Sequence, residues 1–195
     1  MKLGKALKKE KVEKLYFVAI VPPSPIYEEA FEQKVYFKTK YNSKASLNSP
    51  PHITLHMPFK WVEKNEDEIV SHLTTFAHEN ASVAIKLNGF SSFPPRVIFI
   101  NVEITSELER LQKNLTRYFK RQLNLFNANY KELPFHPHLT LARFRDRVPR
   151  GRVAEMAAFP AAAGPSRIDR VTLYESRLSP NGPTYTALAQ APLKA

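Results

Sequence analysis

The chain contains no cysteine, which excludes disulfides, thiolate nucleophiles and cysteine-ligated zinc together. A reducing cytoplasm is the expected compartment. Glycine is scarce, five in 195 residues, and no GxxxxGK[ST] occurs, so a P-loop that cradles phosphates is not expected. HExxH is absent as well. No stretch approaches the roughly 18 consecutive apolar residues of a membrane span. The lysine-rich start, 1–14, lacks the apolar segment of a signal peptide and reads as a solvated basic tail before a single domain over 15–195. Acidic residues are in deficit: 29 Lys and Arg stand against 18 Asp and Glu, a net charge of +11. That balance favours an anionic partner such as RNA or a nucleotide.

Within this composition one short pattern occurs twice. Pro51-His52-Ile53-Thr54-Leu55 is matched by Pro137-His138-Leu139-Thr140-Leu141, although the chain has only six histidines. Read as a β-strand, His-x-Thr points imidazole and hydroxyl to one face and the intervening apolar residue to the other. A lone histidine beside proline is usually structural, and a lone threonine is simply a good strand former. Duplication with matched neighbours makes His52, Thr54, His138 and Thr140 the candidate site. Two imidazoles with pKa values near 6.5 can supply one neutral base and one protonated acid, the requirement for acid–base work on a phosphate ester. The hydroxyls can donate to non-bridging phosphate oxygens.

The duplication extends around both motifs. Leu15–Val21 and Val97–Ile104 are apolar strands, each followed by a helix. Ser24-Pro25 offers an N-cap and first-turn proline for a helix to about Lys40, and Ser106 to Glu109 forms a capping box for a helix carrying Leu108, Leu111, Leu115, Phe119 and Leu123. A helix over Asn65–His78 has its counterpart over Arg150–Phe159. Hairpins then follow, Val83–Phe90 with Val97 onward and Ile168–Leu178 with Thr184–Ala191, broken at Phe93-Pro94-Pro95 and at Ser179 to Pro183. The expected fold is α+β: a bilobal pseudo-twofold duplication, with two mainly antiparallel sheets forming a central cleft and helices outside.

Arg143 completes the second motif, and its planar guanidinium suits a phosphate. Strict alternation places it on the wrong face, so a bend is needed before it reaches the cleft. The first motif has Met57 at that offset. His56 and His136 share the parity of the motif histidines and are expected to line the pocket, while His72 and His78 read as surface residues. Phe59, Trp61, Phe93, Phe135 and Tyr185 are candidate core or base-stacking residues. No metal site and no cofactor are expected.

These motifs, with the closing segment Leu173 to Pro180 and Gly182-Pro183-x-Tyr185, resemble the 2H phosphoesterase superfamily, specifically its LigT-like branch often labelled 2′-5′ RNA ligase. The resemblance covers residues 15–191. It implies metal-independent action on 2′,3′-cyclic phosphates or 2′-5′ linkages, with hydrolysis of RNA-end or nucleotide cyclic phosphates to 2′-phosphates. By the same resemblance His52 is the acid for the leaving 3′ oxygen and His138 the base for water, roles that exchange in the reverse direction. Thr54, Thr140 and Arg143 would hold the phosphate. The expected state is a monomer with an RNA or nucleotide substrate, no membrane and no inferable protein partner. The competing reading is a non-catalytic RNA- or nucleotide-binding module built on the same basic cleft.

Overall fold

The computed structural model describes residues 11–94, 96–127, 134–144, 165–180 and 182–195. The helix expected over Arg150–Phe159 lies outside the described residues. The first apolar run forms β1, Glu13–Ile20. It starts two residues before the run because Lys14 is tied down, its ammonium lying 2.7 Å from Glu63, 3.1 Å from Glu66 and 3.3 Å from Glu175. The solvated tail therefore does not include Glu13 and Lys14.

Helix α1 covers Ile26–Tyr41. Ser24 does not cap it: Pro25 sits at the cap position, and the first turn closes through Tyr27 and Glu29 N–H groups donating to Pro23 and Pro25 carbonyls, both at 3.1 Å. At its far end Asn42 adopts a left-handed conformation and caps Lys38. Strand β2 is Ile53–Val62, and α2 is Glu66–Glu79, burying Ile69, Leu73 and Phe76. Short β3 (Val83–Ile85), β4 (Leu87–Phe93) and β5 (Val97–Val102) follow. Helix α3, Ser106–Leu123, buries the predicted stripe Leu108, Leu111, Leu115, Phe119 and Leu123. Burial of each such side chain is worth about 1.5–3 kcal/mol. Its cap is Thr105, whose hydroxyl accepts from the Leu108 N–H at 3.2 Å. Ser106 is already helical, so the cap precedes the expected box by one residue. Strands β6 (His138–Arg143), β7 (Ser166–Ile168), β8 (Arg170–Arg177) and β9 (Thr184–Pro192) complete the described elements.

All pairings between these strands are antiparallel. One sheet has the order β2-β1-β8-β9, a second β4-β5-β6, and β3 pairs with β7. The α+β reading with two mainly antiparallel sheets and helices holds. The two halves are nevertheless more entangled than a simple packing of repeats. Each His-x-Thr strand lies beside the first strand of its own half, β2 on β1 and β6 on β5. The opposite edge of β1 is taken by β8 from the other half, and that of β5 by β4. The reason lies in β1, whose Tyr16 to Ile20 are buried on both faces and whose backbone therefore needs a partner on each edge.

Both motif strands carry the same register fault. In β2, Ile53 and Thr54 face Ile20 and Ala19, but the next pair is His56 with Val18, leaving Leu55 over. In β6, Leu139 and Thr140 face Ile100 and Phe99, and the next pair is Ala142 with Ile98, leaving Leu141 over. One extra residue moves the residues that follow it to the opposite face, until in β2 a second shift between His56 and Phe59 restores the phase. His56 is the first casualty of the sequence expectation. It points into the core between Phe59 and Phe119, fully buried, not into the pocket.

That position has a pH consequence. The His56 Nδ1–H donates to the Met57 carbonyl at 2.9 Å, Nε2 has no partner among the described residues, and burial lowers the pKa to about 4. Above about pH 6.5 the imidazole is neutral in both folded and unfolded chains. Between about 6.5 and 4 only the unfolded chain takes up the proton, so stability falls as pH falls. His56→Leu is expected to gain on the wild type by about 1.4 kcal/mol per pH unit over that window. Denaturation at pH 8 and pH 5 checks this; an equal difference at both pH values would contradict it.

Candidate active site

Strands β2 and β6 are edge strands of different sheets, and they meet. His52 immediately precedes β2 and His138 opens β6, both half-buried. Each imidazole is held in the same way. The Nδ1–H of His52 donates to the carbonyl of Pro50 at 2.7 Å, and that of His138 to the carbonyl of His136 at 2.8 Å. The acceptor is in both cases two residues back, across Pro51 or Pro137. A carbonyl can only accept, so each ring carries its proton on Nδ1 and presents Nε2 with a free lone pair.

The bulge at Leu141 supplies the bend that Arg143 needs. Thr140 and Arg143 pair with Phe99 and Val97, two residues apart on β5 and therefore on one face. The Arg143 backbone is fixed by Ser43, whose hydroxyl accepts from its N–H and donates to its carbonyl, both at 3.1 Å. The exposed guanidinium has no ion pair among the described residues. Neither Thr54 nor Thr140 has a side-chain hydrogen bond among them. These are the groups a phosphate could recruit.

Sequence reasoning missed Lys34. It lies within the α1 stripe Ile26, Ala30, Lys34, Phe37 and is only 1% exposed. Its ammonium donates to the Ser49 carbonyl at 2.6 Å and to the Ser49 hydroxyl at 3.3 Å. Ser49 adjoins Pro50, so the same short segment bears both Lys34 and His52. Burial, with the charge of Arg143 adding to it, lowers the Lys34 pKa to about 8. A lysine in an apolar helical stripe is a sequence signal that could have exposed it.

The electrostatics tie these groups together. Burial lowers the His52 pKa to about 4, the Pro50 carbonyl works against this, and positive charge on Lys34, His138 and Arg143 pushes it further down. His138 is lowered as well, first by burial and then by His136 and Arg143, with the His136 carbonyl opposing. The predicted residues His52, His138 and Arg143 thus share one electrostatic environment. His136 joins them, 6.1 Å from His138 between ring centres, with Nε2 3.2 Å from Asn101 Oδ1.

The walls differ. His52 packs against Phe17 at 5.4 Å, Tyr185 at 5.6 Å and Tyr174 at 6.4 Å. His138 meets Phe93 at 4.9 Å and Phe99 at 5.0 Å. Of the aromatics singled out from sequence, Tyr185 and Phe93 reach the histidines, Phe59 is core, and Trp61 donates to the Asn65 carbonyl well away from them. His78 is exposed, and half-buried His72 contacts Tyr118 at 3.2 Å. In a Lys34→Met variant, the His52 titration followed by NMR is expected to rise from about 4 while that of His56 stays put. An unmoved His52 would refute the electrostatic coupling.

A family model described as the 2′-5′ RNA ligase superfamily matches residues 22–179. A Geobacillus kaustophilus protein named as a candidate phosphoesterase is 35% identical over 130 residues, 66% of this chain and 68% of its own. A second such protein from another Geobacillus strain is 33% identical over the same shares. Among solved structures, a Thermus thermophilus protein aligns with a TM-score of 0.72 at 24% identity, covering 93% of this chain and 98% of the other. Escherichia coli LigT in complex with 3′-AMP aligns with a TM-score of 0.65 at 20% identity, covering 94% and 99%. At these identities the structural likeness establishes the fold. No described helix is long and apolar enough to cross a membrane.

Proposed function

Since the chain belongs to the 2′-5′ RNA ligase superfamily, we propose that it is a phosphodiesterase that hydrolyses 2′,3′-cyclic phosphates of RNA ends or nucleotides to 2′-phosphates without a metal. The observation that carries this reading is the matched pair of Nδ1 hydrogen bonds, which leaves two Nε2 atoms free on meeting edge strands. Relatives named as candidate phosphoesterases, and LigT crystallised with a nucleotide, support the substrate class.

In this reaction Nε2 of His138 takes a proton from water as the water oxygen bonds to phosphorus. The bond from phosphorus to O3′ breaks, and O3′ receives the proton of His52, leaving the phosphate on O2′. Thr54, Thr140 and Arg143 hold the non-bridging oxygens as charge develops on them. Run backwards, the same imidazoles exchange roles and O3′ displaces water from the 2′-phosphate to re-form the cyclic phosphate; with a 5′-hydroxyl attacking in place of water, the forward step forms a 2′-5′ bond. His52 must be protonated to act, yet its surroundings in the free enzyme keep it neutral near pH 7. A bound phosphate anion offsets the charges of Lys34 and Arg143 and raises the His52 pKa against the burial that lowers it most.

The pH profile follows. The kcat/KM profile reports the free enzyme, in which both imidazoles are lowered, so its bell is expected to centre below about pH 6.5. The kcat profile, reporting the complex, is expected at higher pH. Coincident bells centred above about pH 7 would contradict the scheme.

A phosphatase-coupled assay on the four 2′,3′-cyclic nucleotides, a cyclic-phosphate-ended RNA and a 2′-5′ dinucleotide tests the reaction directly. Turnover should survive EDTA. His52→Ala and His138→Ala should each lower kcat by about 10²–10⁴-fold with circular dichroism unchanged. Salt-sensitive binding of these compounds with no product from the wild type would replace the enzyme by a binding module.

A further inference from the structure

A short polar segment joins the two half-sites. Residues 43–49 lead from the end of α1 to the turn before His52, and their middle, Ala45–Asn48, is a 3₁₀ helix. With three residues per turn, side chains three apart fall in one line. Ser43, Ser46 and Ser49 follow that spacing and form a row of hydrogen bonds. The Ser46 hydroxyl donates to the Ser43 carbonyl at 3.1 Å, and the Ser49 hydroxyl donates to the Ser46 carbonyl at 3.3 Å. At one end Lys34 donates to Ser49, which adjoins Pro50, the residue whose carbonyl holds His52. At the other end Ser43 holds Arg143.

The contact with Arg143 is specific. Arg143 is the last residue of β6, an edge strand, and the end of a strand is where local opening begins. Its N–H and C=O both meet the Ser43 hydroxyl at 3.1 Å, so both point away from β5. One side chain thus stands in for a neighbouring strand. The row is also confined from outside. Gly182, at φ +102 between β8 and β9, approaches so closely that an added Cβ would lie 3.2 Å from Ala45 Cβ and 3.4 Å from Asn48 Nδ2.

Stability alone does not call for this arrangement. Ser43 and Ser46 are buried with Lys34, and hydroxyls and an ammonium are costly to take out of water. Apolar side chains of similar volume would fill the same space. What the row supplies is a tie that the sheets lack. His52 and Arg143 come from different halves of the chain, and no strand pairing among the described residues joins β2 to β6. We propose that Ser43 is a positioning residue for the phosphate site. It aims Arg143, and through Ser46, Ser49 and Lys34 it fixes that guanidinium relative to the His52 imidazole. The inference rests on the reaction proposed above and adds a residue that acts through Arg143 without touching substrate.

A double-mutant cycle tests it. Affinity for inorganic phosphate is read from the His138 imidazole signal by NMR, which follows weak binding, and thermal melting is recorded alongside. Ser43→Ala should weaken phosphate binding about five- to tenfold. In an Arg143→Met background the same change should alter affinity by less than about twofold, while lowering the melting temperature in both backgrounds. Equal weakening in both backgrounds would overturn the proposal, because a merely structural serine acts with or without the guanidinium. So would unchanged affinity in Ser43→Ala. If Ser43→Ala does not fold, Ser46→Ala carries the same cycle, with a loss of about two- to fivefold confined to the chain that keeps Arg143. An equal loss in both backgrounds, or none, overturns the proposal there too. Absence of cyclic-phosphate turnover by the wild type would overturn the reaction and still leave these affinities to decide the positioning role.

Discussion

A hydrogen bond from imidazole Nδ1 to the carbonyl two residues upstream, across a proline, governs the rest of the site. It determines the tautomer, orients the ring and leaves Nε2 open, and it occurs in both halves with lengths of 2.7 and 2.8 Å. Proline is the residue that makes this contact available. It has no N–H of its own, and its fixed φ constrains the turn that brings the carbonyl under the ring. Around the first histidine the anchor is reinforced by Lys34, which grips the adjoining Ser49 carbonyl from inside the fold.

The duplicated anchors do not produce duplicated environments. The first-half imidazole sits among Phe17, Tyr174 and Tyr185 and near a buried ammonium, and its proton affinity is strongly depressed. The second sits between two phenylalanines, with His136 and Arg143 as the neighbours that lower its pKa beyond the effect of burial. Where the second half presents Arg143, the first presents Met57 and draws its positive charge from helix α1 instead. The proposed division into acid and base on a single phosphate rests on this asymmetry.

Much of this was legible in the chain. The strands, the apolar stripes of α2 and α3, and the two His-x-Thr words all announce themselves by period and spacing, because they depend on neighbours within a few residues. The misreadings have the opposite character. His56 follows the parity of His52, but the bulge at Leu55 turns it into the core. The matching bulge at Leu141 turns Arg143 towards the cleft. A bulge arises from pairing with another strand, and nothing local to either motif encodes it. Ser106 resembled a cap, but the neighbouring hydroxyl of Thr105 took that position, whereas beside Ser24 the cap position falls to Pro25 and no side chain caps the helix.

From residue order and composition follow the duplication, the α+β class, the charge that suits an anionic partner and the identity of the paired histidines and threonines. Folding alone settled the exchange of strands between halves, the burial of Lys34 beside the His52 loop and the serine row that ties Arg143 to it. The reason is physical. Side-chain identity and hydrophobic period are properties of short segments, whereas edge pairing, bulge register and the depression of a pKa by burial depend on groups brought together from distant parts of the chain.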